Sequence, residues 1–457
     1  MRNRPVVAIV GAGFSGSLLA LHLLQAGPAD LRILLIERAP GFGRGLAYGA
    51  HDPAHLLNVR VGNMSAWPDK PLHLQHWLAC QPGCGEVGPS AFIARETYGR
   101  YLSSMLQAAV ARPDGAQRLV LVHDEATRLE HRPDGLVLTF AMGHSLVVDA
   151  LVLATGNPPP GPLPGVGLGE LPAHLYVPDP WARRAFDGLS AASRVVLLGT
   201  GLTMVDVAMA LETRGGVASV LAISRRGLTP RRHEGAPYLA GEAPAPQAAT
   251  LSGLVRQVRR RAGTIGWRAA IDELRPVTQS LWRGAPLAQR RRFLRHLRPW
   301  WDVHRHRMAP ETAERIEAMA GDGRLTVAAR RILGVEAEGD AVAIRWRRRG
   351  GGEETARADR IVNCTGPGGD LARSSEPLLR GLVETGAVRP DALGFGLEVD
   401  GDNRVVGADG TADPRLYAVG PITRGVFWEI IAVPDIRNQV ADLAVRLSRQ
   451  FRAKALV

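Results

Sequence analysis

The residues of this chain best suited to chemistry are glycines: Gly11-x-Gly13-x-x-Gly16 closes a charge-free apolar run that starts at Val6. In that spacing Gly11 permits a tight turn, Gly13 lets the backbone approach a pyrophosphate, and Gly16 lets a helix pack closely on a strand. The diphosphate would rest on the helix N-terminus, so a dinucleotide is the expected ligand. Glu37 ends the next apolar run, Leu31 to Ile36, where a carboxylate would meet a ribose hydroxyl. A second loop, Gly199-Thr-Gly201-Leu202-Thr203-Met204, repeats the pattern with methionine in the third glycine position. The run after it ends at Ser224-Arg225-Arg226-Gly227, and counting the same 26 residues from the first glycine pairs Glu37 with Arg225. A guanidinium there would bind a 2′-phosphate that a carboxylate would repel, so the second nucleotide is expected to be NADP. A solvated arginine pair after a strand is the plain alternative.

Each loop needs a strand before it and a helix after it. The pattern predicts a strand over Val6 to Val10 with an amphipathic helix over Ser17 to Ala26, and a strand over Arg194 to Leu198 with a helix over Val205 to Leu211. Between the loops, Leu119 to His123, Gly135 to Phe140 and Leu146 to Leu153 alternate as short strands and stop at Ala154-Thr155-Gly156-Asn157 and three prolines. Leu325 to Ala328, Val342 to Trp346 and Ala358 to Val362 stop in the same manner at Cys364-Thr365-Gly366-Pro367. Both stretches read as crossings between domains, with glycine giving a sharp turn under a cofactor.

A chain of 457 residues suggests two or three cores, and 46% hydrophobic with 22% charged residues is ordinary for a globular protein. The net charge of +12 is carried by arginine, because Lys70 and Lys454 are the only lysines. The arginines are scattered and no nucleic-acid motif appears, so a genome-wide basic bias or an anionic substrate explains the charge better than a nucleic acid. Three cysteines cannot build a disulfide framework and fit a reducing cytoplasm, and Cys80-x-x-x-Cys84 has the spacing of two ordinary thiols. The apolar stretch from residue 6 to 24 resembles a membrane span only until its glycines are counted. Residues 251 to 319 differ from the rest, being helical in period and rich in Arg, Trp and His. Phe293, Leu294, Leu297, Trp300 and Trp301 share one apolar face, which Pro299 should break or kink. Beyond it, Trp301 to Arg307 is either a solvated helix face over core tryptophans or an anion-binding wall; no set of Cys, Asp or Glu at ligand spacing accompanies its His-x-His to suggest a metal.

Two dinucleotide loops, the Ala154-Thr155-Gly156 crossing and a late Leu416-Tyr-Ala-Val-Gly420-Pro421 segment together resemble flavoproteins with two dinucleotide-binding domains. In more detail the chain is similar to the bacterial FAD/NAD(P)-binding family that includes FAD-dependent urate hydroxylases and monooxygenases oxidising the amine of aspartate. The likeness runs through Gly43-Arg-Gly-Leu-Ala-Tyr48, His55-Leu-Leu-Asn58, Met64-Ser-Ala66, Phe92 to Leu102, Tyr176 to Trp181 and Trp428 to Arg437. The resemblance implies an α/β fold of two Rossmann-like domains: a three-layer ββα FAD domain with an inserted NAD(P) domain, plus the helical insertion. Residues 1–160 would be the first part of the FAD domain, 161–335 the NAD(P) domain, and 336–457 the return.

It further implies that Gly11, Gly13, Phe14, Ser15, Gly16, Glu37 and Arg38 hold the ADP half of FAD. Tyr48, Asn58 and Met64 would lie near the ribityl chain or the isoalloxazine, Ala126 would set backbone groups against adenine, and Thr155 with Gly156 would turn beneath the cofactor. Where the family carries Gly-Asp at its late turn this chain has Gly420-Pro421, leaving backbone contacts in place of the carboxylate. A helix from about Pro434 would aim its positive end at the flavin pyrimidine, where charge develops on reduction. NADPH, or NADH in its place, would sit on Gly199, Gly201, Leu202 and Thr203, with Ser224, Arg225 and Arg226 beyond, and pass hydride to the flavin. With molecular oxygen as acceptor, a peroxyflavin would hydroxylate a small metabolite, making the chain a monooxygenase. An oxidoreductase with another acceptor is the alternative, and a flavin-binding redox sensor without turnover a third reading. His174 falls in the interval where ketone-oxygenating relatives carry a fingerprint histidine, but its surroundings do not match, and no catalytic acid or base is named.

Overall fold

The computed structural model describes residues 4–49, 52–83, 85–133, 135–161, 163–234, 250–368 and 370–454. Cys84 lies outside them, so the Cys80 and Cys84 pair has no structural description. In chain order the first strands are β1 (Val6–Val10), β2 (Arg32–Glu37), β3 (Leu119–His123), β4 (Ala126–Arg132), β5 (Gly135–Phe140), β6 (Ser145–Val148) and β7 (Ala150–Leu153). Then come β8 (Tyr176–Val177), β9 (Arg194–Leu198), β10 (Ser219–Ser224), β11 (Leu325–Glu338), β12 (Ala341–Arg348), β13 (Glu353–Ala358) and β14 (Arg360–Asn363), and finally β15 (Arg404–Val406) and β16 (Ala412–Ala418). They form two compact units. Met1–His51, Val59–Pro158 and Gly369–Val457 make the first; Asp52–Asn58 and Pro159–Gly368 make the second.

The first unit is built on a six-stranded sheet in the order β15-β16-β7-β1-β2-β3, parallel except for the β15 edge. An antiparallel sheet, β4-β5-β6, packs against β1 and β7. β1 is apolar without alternation because a central parallel strand is covered on both faces. The helix Phe14–Ala26 was expected to be amphipathic, yet ten of its thirteen residues are buried, Ser15 and Ser17 included. Beyond the sheet it meets the helices Arg95–Val110 and Val433–Lys454, which leaves it little surface to face water.

The second unit carries a seven-stranded sheet in the order β13-β12-β11-β10-β9-β14-β8. β8, β14, β9, β10 and the start of β11 run parallel; β11 then continues into antiparallel pairing with β12, and β12 with β13. The expected return to the first domain at residue 336 is therefore too early. β11 continues to Glu338, its hairpin partners remain in the same sheet, and β14 inserts between β9 and β8 before the chain leaves at Gly368.

Two more expectations change for one reason. Leu146 to Leu153, expected as a single strand, is two strands in two sheets, because Asp149 interrupts it: its carboxylate accepts the Val6 N–H at 2.8 Å, and its own N–H donates to the Val6 carbonyl at 2.8 Å. Asp359 divides β13 from β14 in the same manner, accepting the Arg194 N–H at 2.6 Å and donating to the Arg194 carbonyl at 2.8 Å. Each aspartate sits where a strand leaves an antiparallel sheet edge and joins the parallel core, next to the first residue of the central strand.

In the helical segment, Leu287–His296 and Arg298–Arg305 are separate helices, with Pro299 in the first turn of the second, where a missing N–H costs nothing. Trp300 is 42% exposed and so lies off the apolar face it was expected to share. Arg307 is buried and donates to both oxygens of Asp272 at 3.0 and 3.1 Å, while Arg268 and Arg307 stack on Trp267 with guanidinium carbons 4.3 and 5.2 Å from the ring centre. The Arg307 end of the expected anion-binding wall is thus an internal ion pair that ties the segment together. Among the described residues, no helix is long and apolar enough to cross a membrane.

Candidate functional site: two glycine cradles

In the first cradle the chain leaves β1 through Gly11, whose φ of +100° favours glycine. Its N–H donates to the Ile36 carbonyl at 2.9 Å, and a methyl group here would lie 2.5 Å from the Ala154 oxygen, so the turn closes directly on the end of β7. Gly13 caps the following helix with no side-chain hydrogen bond, leaving the first-turn amides without an acceptor from a capping side chain. Gly16 holds the helix against the turn, since a methyl there would come within 1.9 Å of the Gly11 oxygen. Glu37 Oε2 accepts the Ala12 N–H at 2.9 Å and Oε1 the Ala39 N–H at 3.0 Å, so the carboxylate shapes the loop it borders.

Further expected residues of this cradle converge in the same unit. Gly420 has φ +75°, and a methyl on it would lie 2.3 Å from Ser15 Oγ, which brings the late turn against the helix start. Thr155 Oγ1 is buried beside Gly156 and has no hydrogen-bond partner among the described residues. Phe14 and Met64 are buried, and Tyr48 is half-buried with its ring centroid 6.2 Å from that of Phe14. Ala126 starts β4, and Arg38 is ion-paired to Glu125 at 3.2 Å and Glu376 at 2.6 Å. Asn58 is not among them: it belongs to the second unit, where its carbonyl faces His233 Nε2 at 3.1 Å, as His55 Nε2 faces the Asp206 carbonyl at 2.8 Å.

Two supports of the cradle escaped sequence reasoning. Gln439 is buried on the helix Val433–Lys454; its Oε1 accepts the Gly420 N–H at 2.7 Å while its Nε2 donates to Asn403 Oδ1 at 2.8 Å and Thr423 Oγ1 at 3.2 Å. The signal was present, because Gln439 is a polar residue at helical spacing between buried Ile436 and Leu443. Arg437 Nη1 donates to the Ser65 carbonyl at 2.9 Å, tying the first turns of that helix to the Met64 segment. Burial holds this guanidinium below its ordinary range.

The second cradle repeats the backbone turn of the first. Gly199 has φ +107°, donates to the Ile223 carbonyl at 2.8 Å, and would place a methyl 2.4 Å from the Cys364 oxygen. Gly201 again caps its helix, Leu202–Thr213, without a side-chain bond, and Leu202 and Thr203 open the first turn half-exposed. The hydrogen-bond register corrects one expectation. Gly11 bonds to Ile36 and Gly199 to Ile223, so the residue matching Glu37 is Ser224, and Arg225 matches Arg38; the second connection is one residue shorter. Ser224 Oγ accepts the Gly227 N–H at 2.9 Å and lies 2.9 Å from Thr200 Oγ1. Arg226 is drawn toward the His296 carbonyl at 3.4 Å and lies 6.0 Å over the Trp300 ring. Arg225 is exposed and forms no ion pair or hydrogen bond among the described residues.

Residues 8–158 match the family described as FAD-NAD(P)-binding. No curated protein matches the chain. Among solved structures, the ornithine N-hydroxylase of Kutzneria sp. 744, solved with reduced FAD, NADP+ and L-ornithine, aligns with a TM-score of 0.65 at 16% identity over 98% of this chain and 99% of its own. L-lysine 6-monooxygenase from Pseudomonas syringae aligns at 0.64 and 19% over 98% and 99%. Thioredoxin reductase from Lactococcus lactis aligns at 0.51 and 13% over 99% and 100%. At these identities the likeness establishes the Rossmann-type fold, which hosts more than one reaction.

Proposed function

We propose that the protein is an FAD-dependent, NADPH-consuming monooxygenase that oxygenates a small metabolite, with the nitrogen of an amine or amino acid as the reacting atom. The observation that carries this reading is the repeated cradle: two turns of the same hydrogen-bond register, one bordered by a carboxylate and one by a free arginine. The cradles fit dinucleotides on the chemistry of their donors, since each presents uncapped helix-terminal amides beside glycine, and the first adds a buried unpartnered Thr155 hydroxyl. Full-length alignment to structures named as ornithine, lysine and cadaverine monooxygenases supports the choice of nitrogen. The resemblance to monooxygenases of the aspartate amine supports the same choice.

In this reading the amides of Phe14, Ser15 and Gly16 bind the FAD pyrophosphate, Glu37 meets the ribose with its remaining lone pairs, and the Gly420 turn, braced by Gln439, approaches the ribityl chain through backbone groups. FAD, when bound, supplies a ring that takes up hydride and activates oxygen. Arg437 and the start of the helix Val433–Lys454 place positive potential beside the Met64 segment, which suits an anionic reduced ring. Gly199 to Thr203 bind the NADPH pyrophosphate and Arg225 the 2′-phosphate; Arg226, already engaged, contributes charge only. Disulfide exchange at Cys364 is a poor fit, because burial pushes its thiol well up and suppresses the thiolate.

The test is the visible spectrum of the purified chain supplied with FAD, before and after NADPH, followed by turnover on amines and amino acids under labelled oxygen. A yellow protein that bleaches and yields a labelled N-hydroxy product is the expected result. A chain that stays colourless removes the flavin reading, and bleaching followed by reoxidation without labelled product on any amine removes the monooxygenase.

A further inference from the structure

Aromatic side chains of the first unit form a line from the glycine loop to the surface. The Phe14 centroid is 6.2 Å from those of both Tyr48 and Tyr98; Tyr48 is 4.7 Å from Tyr98, Tyr98 is 5.6 Å from Tyr101, and Tyr101 is 5.4 Å from Trp77. Aromatic residues are only 5% of the chain, yet three of its six tyrosines stand in this line. Tyr98 and Tyr101 are fully buried, whereas Trp77 is partly exposed on the helix His73–Ala79.

The phenols differ in where their protons can go. Tyr98 donates to the Met64 carbonyl at 2.9 Å, an acceptor that cannot take a proton away. Tyr101 Oη accepts the Ala66 N–H at 3.2 Å and lies 2.7 Å from His73 Nδ1. The amide uses one lone pair, and with His73 in the tautomer that carries its proton on Nε2 the phenolic proton points at Nδ1; the Ser65 hydroxyl is the other polar group against this oxygen. Burial, with Lys70 and His76 nearby, holds His73 below its ordinary range, which favours the neutral ring, whose Nδ1 accepts when Nε2 carries the proton. Burial pushes the Tyr101 phenol up to about 12, so it keeps its proton at rest.

We propose that Tyr101 is a redox-active tyrosine with His73 as its proton acceptor, the resting point of a path that carries oxidising equivalents from the glycine loop to Trp77. A one-electron oxidant at the loop end, of the class of oxygen-derived radicals, takes an electron from Tyr48 or Tyr98, and the vacancy is filled from Tyr101. Tyr101 thereby loses one electron, and its phenolic proton moves to His73 Nδ1, leaving a neutral tyrosyl radical and an imidazolium. One electron from Trp77 and the returning proton restore the phenol, and a soluble thiol or ascorbate returns one electron to Trp77. Phe14 lacks the hydroxyl that makes an aromatic ring easy to oxidise, so it spaces the path without holding charge. The source of the oxidant rests on the flavin reading above; the tyrosine and histidine pair does not.

The experiment therefore supplies its own oxidant. The purified full chain is flash-oxidised with photoexcited tris(bipyridine)ruthenium and a cobalt(III) quencher, frozen rapidly, and read by electron paramagnetic resonance. Ring-deuterated tyrosine in the unmutated chain should collapse the hyperfine pattern and so distinguish tyrosyl from tryptophanyl. Tyr101→Phe and His73→Gln should each abolish the signal, and Tyr98→Phe should leave its line shape unchanged. Absence of a tyrosyl signal in the unmutated chain, or its persistence in Tyr101→Phe, overturns the proposal. Persistence in His73→Gln overturns the proton acceptor. None of these outcomes depends on bound flavin, which its absorbance reports separately.

Discussion

Gly11 and Gly199 occupy the same turn, with φ of +100° and +107° and N–H donation to Ile36 and Ile223, yet the side chains around the two turns have diverged position by position. Gly16 corresponds to Met204, Glu37 to Ser224 and His22 to Ala210, and where both turns keep an arginine, at Arg38 and Arg225, its partners differ. The segment Gly43 to Gly45 closes over the first loop, Gly43 N–H bonding to the Ala12 carbonyl at 2.9 Å, whereas no described residue lies within 4 Å of a methyl placed at Gly201. The shared turn is thus held by a few amides and one Asp switch per unit. In the proposed reading, what distinguishes one nucleotide from the other is left to residues the frame does not constrain.

The largest effect is expected where the frame touches itself. Gly16→Ala puts a methyl 1.9 Å from the Gly11 oxygen, and since both atoms belong to the turn and its helix, the clash is relieved only by moving the helix. A cost of ~3 kcal/mol or more, with loss of bound flavin, is expected in denaturant titrations followed at the flavin band. Met204→Ala should cost a similar ~3 kcal/mol for the opposite reason, a cavity in the second unit's core. If Gly16→Ala instead tracks wild type, the close helix contact is not what separates the two units.

His22 gives the first unit an acid sensitivity that Ala210 denies the second. Burial, offset only in part by Asp69, lowers its pKa to about 4 from an ordinary 6.5. The unfolded chain then takes up a proton near pH 6.5 that the folded chain refuses until about pH 4. The neutral ring's contribution is complete above pH 6.5 and is lost as pH falls through that window, up to about 3 kcal/mol in all. His22→Leu should flatten this part of the profile in chemical denaturation at stepped pH; an unchanged slope between wild type and variant would show that His22 titrates normally.

Arg225 and Arg38 occupy matching positions with opposite commitments. Arg225→Ala should weaken NADPH binding by ~2 kcal/mol, roughly 30-fold, and leave NADH unaffected. Arg38→Ala, which breaks surface pairs with Glu125 and Glu376, should leave NADPH untouched. Calorimetric titration of both nucleotides decides the point, and equal losses for NADPH and NADH in Arg225→Ala remove the 2′-phosphate assignment.

Much of this frame was legible because glycine is the one residue whose presence reports a backbone need directly: the two loops and both crossing turns fell where the glycines predicted. Counting residues failed one position later. Sequence offset takes the two connections as equal in length, and only the bonds to Ile36 and Ile223 reveal that Ser224, not Arg225, stands opposite Glu37. Asp149 was visible as a charge within an apolar run, but its meaning depends on Val6, 143 residues away. The Tyr48, Tyr98, Tyr101 and Trp77 line draws on three separate segments, and no period within any one of them could predict it.

The smallest effect is expected at Gly201, and it isolates what that glycine is for. Its φ of −86° suits any residue, and a methyl there meets none of the described residues, so these give no reason for glycine. Gly201→Ala should leave stability within ~0.5 kcal/mol of wild type, or raise it slightly by restricting the unfolded chain. Nucleotide binding should respond differently, because a diphosphate approaching the helix amides would meet the new methyl where the protein does not. Unchanged thermal unfolding with weakened binding of both NADPH and NADH is the expected pair of results. Unchanged NADPH affinity would mean that the diphosphate does not pass over Gly201, and the second cradle would lose its assignment even with its frame intact.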